Sequence, residues 1–395
     1  MAQDLHEAEL FEEAAARFGT PTYLYDLPRI SDQAESLRRA FPTAHMRYAV
    51  KANANGALLR HVAALGFGAE ALTLGELERS LRAGFAPGAV VLGGPGVTAE
   101  LARRSVEAGV SLVSLDGPGV YELYKPLLGC AAAANLRFMV RLNPGFDPDT
   151  HEHLATAAAS SKFGLATEDA ARLAESVASD GRLAGFHVHA GSMLTNAEVA
   201  HMVVAALEPL YARFQECTHV DLGGGFAVPG APLAQFAAAY TGFAERHGVE
   251  LILEPGRFLV ADAGVLLTRV LHVKRGAKTH VIADAGMADL LRPALYGATH
   301  PVWQVGADPA EATHLADVDG PLCENADRLA QAAPLSTVSA GDLLAVRQAG
   351  AYGFAMASNY ASSLRPAEVV WDGAALRLAR RRERPEDLWR LETND

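Results

Sequence analysis

The chain has 395 residues, half of them hydrophobic and a fifth charged, which leaves room for two or three domains with a large buried core. Lysine and arginine number 34 against 46 acidic residues, and the resulting charge of −12 is spread along the chain. A surface of that sign repels phosphate backbones and anionic lipid, so no nucleic-acid partner and no membrane partner are expected.

The opening segment has no basic leader and no apolar h-region, and no apolar run reaches the roughly 18 residues that a membrane span needs. Three cysteines, Cys130, Cys217 and Cys323, make an odd number in a long chain. A disulfide framework is therefore not expected, and a cytoplasmic location is. Short β-prone runs occur at 46–50, 69–72, 89–92, 111–115, 137–142, 186–189, 218–222 and 250–253. Between them lie segments of helical composition and apolar 3–4 spacing, such as 75–83, 99–108, 167–179 and 196–214. Eight strands alternating with helices predict a parallel (β/α)8 barrel, and the count of eight is the main argument against an open doubly wound sheet. After about residue 262 helical stretches become scarce. Runs at 264–273, 280–283, 343–346, 367–371 and 376–378 read as strands between Gly, Pro and Asp turns. They predict a second, mostly β domain, with the early strand at 22–25 as a candidate member. The basic run from Arg380 to Arg384 is followed closely by acids and reads as a solvated face.

In such a barrel the reactive groups gather at the C-terminal ends of the strands. There the sequence puts Lys51, Arg141, His187, His189, the tract Gly223-Gly224-Gly225 and Glu254. Adjacent glycines let backbone N–H groups approach a phosphate closely, and the loops after the seventh and eighth strands, which carry Gly223–Gly225 and Gly256, are the usual barrel phosphate site. The other reading of the glycines is a plain turn. Only five of the 34 basic residues are lysines, and Lys51 follows an apolar strand, where an amine among apolar neighbours loses its proton more easily and can form an imine. An amine, a phosphate loop and an imidazole in one barrel mouth point to pyridoxal 5′-phosphate, with Glu254 placed to serve its ring nitrogen. His187 and His189 share one side of a strand and could instead ligate a metal, but no carboxylate partner is evident nearby in the sequence, and no metal is expected. His151-Glu-His153 lacks zinc spacing and reads as a solvated loop; the glycines at 93–96 lack dinucleotide spacing.

In order along the chain stand Tyr-Ala-Val-Lys-Ala-Asn (48–53), Arg-Leu-Asn-Pro-Gly (141–145), Ser-Lys-Phe-Gly (161–164), His-Ala-Gly-Ser (189–192) and Asp-Leu-Gly-Gly-Gly (221–225). Glu-Pro-Gly-Arg (254–257), Asp-Ala-Gly-Met (284–287), Leu-Arg-Pro-Ala-Leu-Tyr (291–296), Gly-Pro-Leu-Cys-Glu (320–324) and Gly-Ala-Tyr-Gly (350–353) follow. Over roughly residues 20–390 this series resembles the fold-type III pyridoxal-phosphate-dependent decarboxylases, the group acting on ornithine, arginine and diaminopimelate. The resemblance implies an alanine-racemase-like architecture, with a cofactor-binding barrel at 28–262 and a β domain of 1–27 plus 263–395 that supplies substrate and dimer contacts. It implies that Lys51 carries the cofactor, that His189 stacks on its ring and Glu254 pairs with its nitrogen. Ser192, Gly223, Gly224, Gly225 and Gly256 then hold the phosphate with Arg257 and Tyr352. Arg257, Arg292, Tyr296 and Tyr352 meet the substrate and Glu324 its distal ammonium, while Cys323 or Lys51 returns a proton. The family is a homodimer, so Cys323 and Glu324 are expected to act in the partner's site.

Arg292 offers a counter-charge for a second carboxylate, which favours meso-2,6-diaminopimelate, giving L-lysine and carbon dioxide, over simple diamine precursors. The sequence departs from the family pattern at Glu70 (commonly aspartate), at Met193 (commonly glutamine), at 155–160, at 325–327 and at 360–365. These departures keep open a sister decarboxylase for another amino acid or a siderophore-type substrate, a racemase, and a catalytically silent homologue.

Overall fold

The structure, a computed structural model, describes residues 2–145 and 161–393. It divides into two units, Ser31–Leu259 and Met1–Ile30 with Val260–Asp395. The segments 151–153 and 155–160 singled out in the sequence lie outside the described residues.

The chain begins with α1 (Ala2–Phe18), β1 (Thr22–Asp26) and α2 (Leu27–Ala40). Eight short strands follow: β2 (His45–Ala49), β3 (Gly68–Ala71), β4 (Val90–Leu92), β5 (Leu112–Leu115), β6 (Arg137–Arg141), β7 (Leu183–His187), β8 (His219–Asp221) and β9 (Glu250–Leu253). Every neighbouring pair is parallel, and β2 closes on β9. The strands are short and apolar because both faces are covered: side chains fill the lumen inside and helices lie outside. Val91, Leu112, Met139, Ala184 and Ile252 form one buried cluster drawn from five strands. The intervening helices are α3 (Gly56–Ala64), α4 (Leu74–Ala83), α5 (Ala99–Ala108), α6 (Pro118–Tyr124), α7 (Thr167–Ser179), α8 (Glu198–Arg213) and α9 (Leu233–His247). The hydroxyls of Thr73 and Thr98 cap α4 and α5 by accepting from Glu76 N and Leu101 N.

After α10 (Arg257–Val260) the second unit adds β10 (Gly264–Arg275), β11 (Thr279–Ala283), α11 (Arg292–Tyr296), β12 (Val302–Gln304), β13 (His314–Asp319) and β14 (Arg328–Leu335). It ends with β15 (Leu343–Val346), β16 (Ala367–Trp371), β17 (Leu376–Arg380) and α12 (Pro385–Trp389). They form one sheet in the order β14-β13-β11-β10-β1-β16-β17, with β15 joining β10 to β12. The early strand β1 sits inside this sheet, antiparallel to β10 and parallel to β16. Phe11, Ala14 and Ala15 of α1 pack on Leu24, Leu267, Ala345 and Val369 of the sheet.

Strands β12, β13 and β14 are additions to the sequence reading. The β14 sequence Arg-Leu-Ala-Gln-Ala-Ala-Pro-Leu has helical composition, and pairing with β13 overrides it. The basic run at 380–384 keeps Arg381 and Arg384 exposed, as a solvated face does, while several of its guanidinium groups are also paired within the unit. Arg380 pairs with the fully buried Glu368, Arg381 with Asp387, and Arg382 donates to the Pro21 carbonyl at 2.6 Å. Among the described residues no helix is long and apolar enough to cross a membrane.

Candidate active site

The C-terminal ends of the barrel strands collect nearly all the polar groups that the barrel buries. Lys51 lies in a tight turn, residues Val50–Ala52, just past β2. Its flanks Val50 and Ala52 are buried, and the Tyr48 hydroxyl braces the turn by donating to Asn53 O at 3.0 Å. The apolar setting expected for this amine needs correcting. Glu70, buried on β3, reaches Lys51 Nζ at 3.1 Å, so the amine sits in an ion pair.

Arg141 ends β6 and pairs with Asp116, just past β5, at 3.0 Å; both are buried. The guanidinium lies over the Phe163 ring, 4.8 Å from its centroid. His187 ends β7, and its Nδ1 shares a 2.7 Å hydrogen bond with Ser114 Oγ. Its Nε2 is buried with no hydrogen-bond partner and lies 3.7 Å from Glu254 Oε2. The sequence showed no carboxylate near His-x-His, and the fold corrects this: pairing of β7, β8 and β9 brings in Glu254 from the end of β9. The ligating atoms of His187, His189 and Glu254 lie within 4.8 Å of one another.

Burial, reinforced by the positive charges of Lys51 and Arg141, holds both imidazoles well below the usual histidine range, so both are neutral. Burial pushes the Glu254 carboxyl well above the usual carboxylate range, and the neighbouring Asp221 adds to the shift. The positive charges of Lys51 and Arg141 oppose this shift, and burial outweighs them.

Beyond β8 the chain turns at Gly223-Gly224-Gly225. Gly223 and Gly225 have φ of +63° and +87°. A Cβ at Gly223 would sit 2.6 Å from His189 Nδ1, and one at Gly224 or Gly225 would overlap the Glu254 or Gly191 carbonyl. The turn is fixed by Gly223 N donating to Asp221 Oδ1 at 2.9 Å and by Glu254 N donating to Gly223 O at 2.7 Å. Beside it, Arg257 Nη2 donates to Ser192 Oγ at 3.3 Å. Gly256 packs where a Cβ would stand 3.0 Å from the Ala49 Cβ.

This donor set fits pyridoxal phosphate. It combines a primary amine, a neutral flat imidazole, a buried carboxyl able to give a proton, and a glycine turn flanked by a hydroxyl and a guanidinium. The buried His187 Nε2 beside Glu254 marks the same mouth as built for a polar occupant.

The second unit carries the other expected residues. Arg292 opens α11 and is buried; Tyr296 lies one turn later on the same face and is partly exposed. Cys323 and Glu324 are exposed on the loop between β13 and β14, and Glu324 Oε1 accepts from the Tyr360 hydroxyl. Tyr352 stands in a left-handed conformation, φ +58°, between Gly350 and Gly353. The sequence does not single out Ser114, Asp116 or Asp221 as site residues, and it marks Glu70 only as a departure from pattern. Their strand-end positions could have marked Glu70, Asp116 and Asp221; nothing local marked His300 or Asp327.

Residues 27–261 match the model of the pyridoxal-binding domain of pyridoxal-dependent decarboxylases. The chain is 41% identical over 382 residues to a diaminopimelate decarboxylase of Deinococcus radiodurans, covering 96% of this chain and 98% of that one. It is 37% identical to a diaminopimelate decarboxylase of Zymomonas mobilis, with 96% and 94% covered. The structure of the Helicobacter pylori diaminopimelate decarboxylase complexed with L-lysine superposes with a TM-score of 0.90 at 32% identity, covering 97% of this chain and 99% of that one. A strand-end lysine, a buried carboxyl and a glycine turn in one barrel mouth thus coincide with near-full-length similarity, and the chain belongs to the diaminopimelate decarboxylase family of pyridoxal-phosphate-dependent enzymes.

Proposed function

We propose that this chain removes carbon dioxide from meso-2,6-diaminopimelate to give L-lysine. The observation that carries the reading is the meeting of Lys51, His189 and the buried Glu254 carboxyl at one barrel mouth. Similarity to diaminopimelate decarboxylases over nearly the full length supports the substrate.

Pyridoxal phosphate, when bound, supplies an electrophilic aldehyde and an electron-accepting pyridinium ring. Lys51 Nζ would tether it, and when not so engaged that amine is held by the Glu70 carboxylate at 3.1 Å. Glu254 would sit beside the ring nitrogen, where its carboxyl could hold a proton shared with that nitrogen. His189 would stack on the ring as a neutral plane, adding no charge that would oppose a pyridinium. Ser192, Arg257, the backbone N–H groups of Gly223–Gly225 and Gly256 hold the phosphate, and Tyr352 closes over it. Arg257 would also meet a substrate carboxylate and fix its orientation at the barrel mouth. Arg292 and Tyr296 receive the distal carboxylate, Glu324 the distal ammonium, and Cys323 returns the proton to the carbon that loses carbon dioxide.

Residues 28–262 serve as the cofactor domain, and residues 1–27 with 263–395 supply substrate and dimer contacts. The protein works in the cytoplasm as a homodimer in which Cys323 and Glu324 act in the partner's site. The cysteines Cys130, Cys217 and Cys323, none of them bridged, are consistent with a reducing compartment. The test is carbon dioxide release from meso-diaminopimelate by the cofactor-loaded protein, compared with Glu254→Gln. Release by the wild type and a loss of at least about 10²-fold in the variant are expected; equal rates would overturn the assignment of Glu254.

A further inference from the structure

We propose that His300 is a positioning residue that aims the Arg292 guanidinium and thereby sets the preference for substrates with a distal carboxylate. The inference rests on the reading of Arg292 given above.

His300 lies where the loop after α11 joins the sheet. Val302 of β12 pairs with Val346 of β15, and Arg347 N donates to Pro301 O at 2.8 Å, so the backbone on both sides of the ring is held. Arg347 is itself anchored, with Nη2 donating to Glu7 Oε2 at 2.6 Å and its guanidinium 5.0 Å from the Trp303 ring centroid. The imidazole is 4% exposed and Arg292 is 8% exposed.

The two hydrogen bonds of the ring determine its tautomer. Nδ1 lies 3.0 Å from the Arg347 carbonyl oxygen, which only accepts, so Nδ1 carries the proton. Nε2 lies 3.2 Å from Arg292 Nη1, and a guanidinium only donates, so Nε2 offers its lone pair. Both contacts call for the same neutral ring. A planar guanidinium with one N–H committed to a fixed acceptor has its remaining fork directed as well, and bidentate carboxylate recognition depends on that direction. His300 does this from a buried position without adding charge.

The experiment measures binding of L-lysine and of cadaverine to the holoenzyme, because cadaverine lacks the carboxylate that Arg292 receives. His300→Leu is expected to weaken L-lysine about tenfold, raise KM for meso-diaminopimelate by a similar factor and change kcat far less. Cadaverine affinity and the cofactor absorbance should not change. His300→Gln, whose side-chain oxygen can replace the Nε2 acceptor, should restore most of the loss. If His300→Leu binds both ligands as the wild type does, the inference fails. If it weakens both equally and His300→Gln does not rescue, His300 is only a structural residue and the inference fails too. Arg292→Leu separates the two levels: when it leaves the lysine–cadaverine difference intact, the reading of Arg292 itself is wrong; when it abolishes the difference and His300→Leu does not, only the role of His300 is wrong.

Discussion

The loop that presents Cys323 and Glu324 hangs on one buried carboxylate, and removing it has a calculable cost. Asp327 is 2% exposed and accepts from Met287 N at 2.5 Å and from Leu322 N at 2.6 Å. Its own backbone closes the loop, with Gly320 N donating to Asp327 O at 2.8 Å and Asp327 N donating to Glu324 O at 3.1 Å. Gly286 and Gly320 crowd the carboxylate so closely that a Cβ at either would overlap it. In Asp327→Ala two backbone donors lose a charged acceptor; at about 1.5–3 kcal/mol each, partly offset by water entering the space, the loop loses about 3 kcal/mol. Hydrogen exchange read by mass spectrometry over residues 318–328 should then speed up about 10²-fold, since each 1.4 kcal/mol is about a factor of ten. With Cys323 and Glu324 no longer held, kcat should fall at least about tenfold while the cofactor absorbance stays unchanged. Unchanged exchange across that segment would refute the reasoning, whatever happened to activity.

Three further outcomes follow from the same geometry. Lys51→Ala should abolish the absorbance of the covalently held cofactor, and an unchanged spectrum would remove Lys51 from its assigned role. Mixing inactive Lys51→Ala and Glu324→Ala subunits should restore up to about a quarter of wild-type activity, because hybrid dimers carry one site with both groups intact; no recovery would contradict a site shared between chains. Burial pushes the Asp289 carboxyl up to about 7, against the Gly286 N–H that donates to it at 3.0 Å. A raised carboxyl keeps its proton in the folded state after the unfolded chain has lost it near pH 4. Its stabilisation is therefore full below about pH 4 and is lost as pH rises to about 7, on the order of a few kcal/mol. Asp289→Asn should flatten thermal stability across that range, and an unchanged slope would count against the cause given.

Much of the site was legible because the barrel turns position in sequence into position in space. A residue just past a barrel strand lies at the mouth, so Lys51, His189, Gly223–Gly225 and Glu254 could be read from strand ends alone. Pairing between side chains was not legible. Nothing in the local sequence of Lys51 reveals that Glu70, on the next strand, holds its amine, or that pairing of β7, β8 and β9 brings Glu254 to His187. In the second unit β10, β15 and β16 showed their β-branched and leucine-rich runs, whereas β13 and β14 owe their form to pairing with each other. Asp327 holds the N–H groups of Met287 and Leu322, and His300 meets the guanidinium of Arg292 across a loop; neither pairing follows a helical or strand spacing.

The central claim is that this site decarboxylates an amino acid bearing a second carboxylate. Its most direct test is product analysis by mass spectrometry after separate incubation of the cofactor-loaded protein with meso-diaminopimelate, lysine, ornithine and arginine. The account predicts L-lysine from meso-diaminopimelate and no product from the other three; cadaverine, putrescine or agmatine in place of lysine would contradict it.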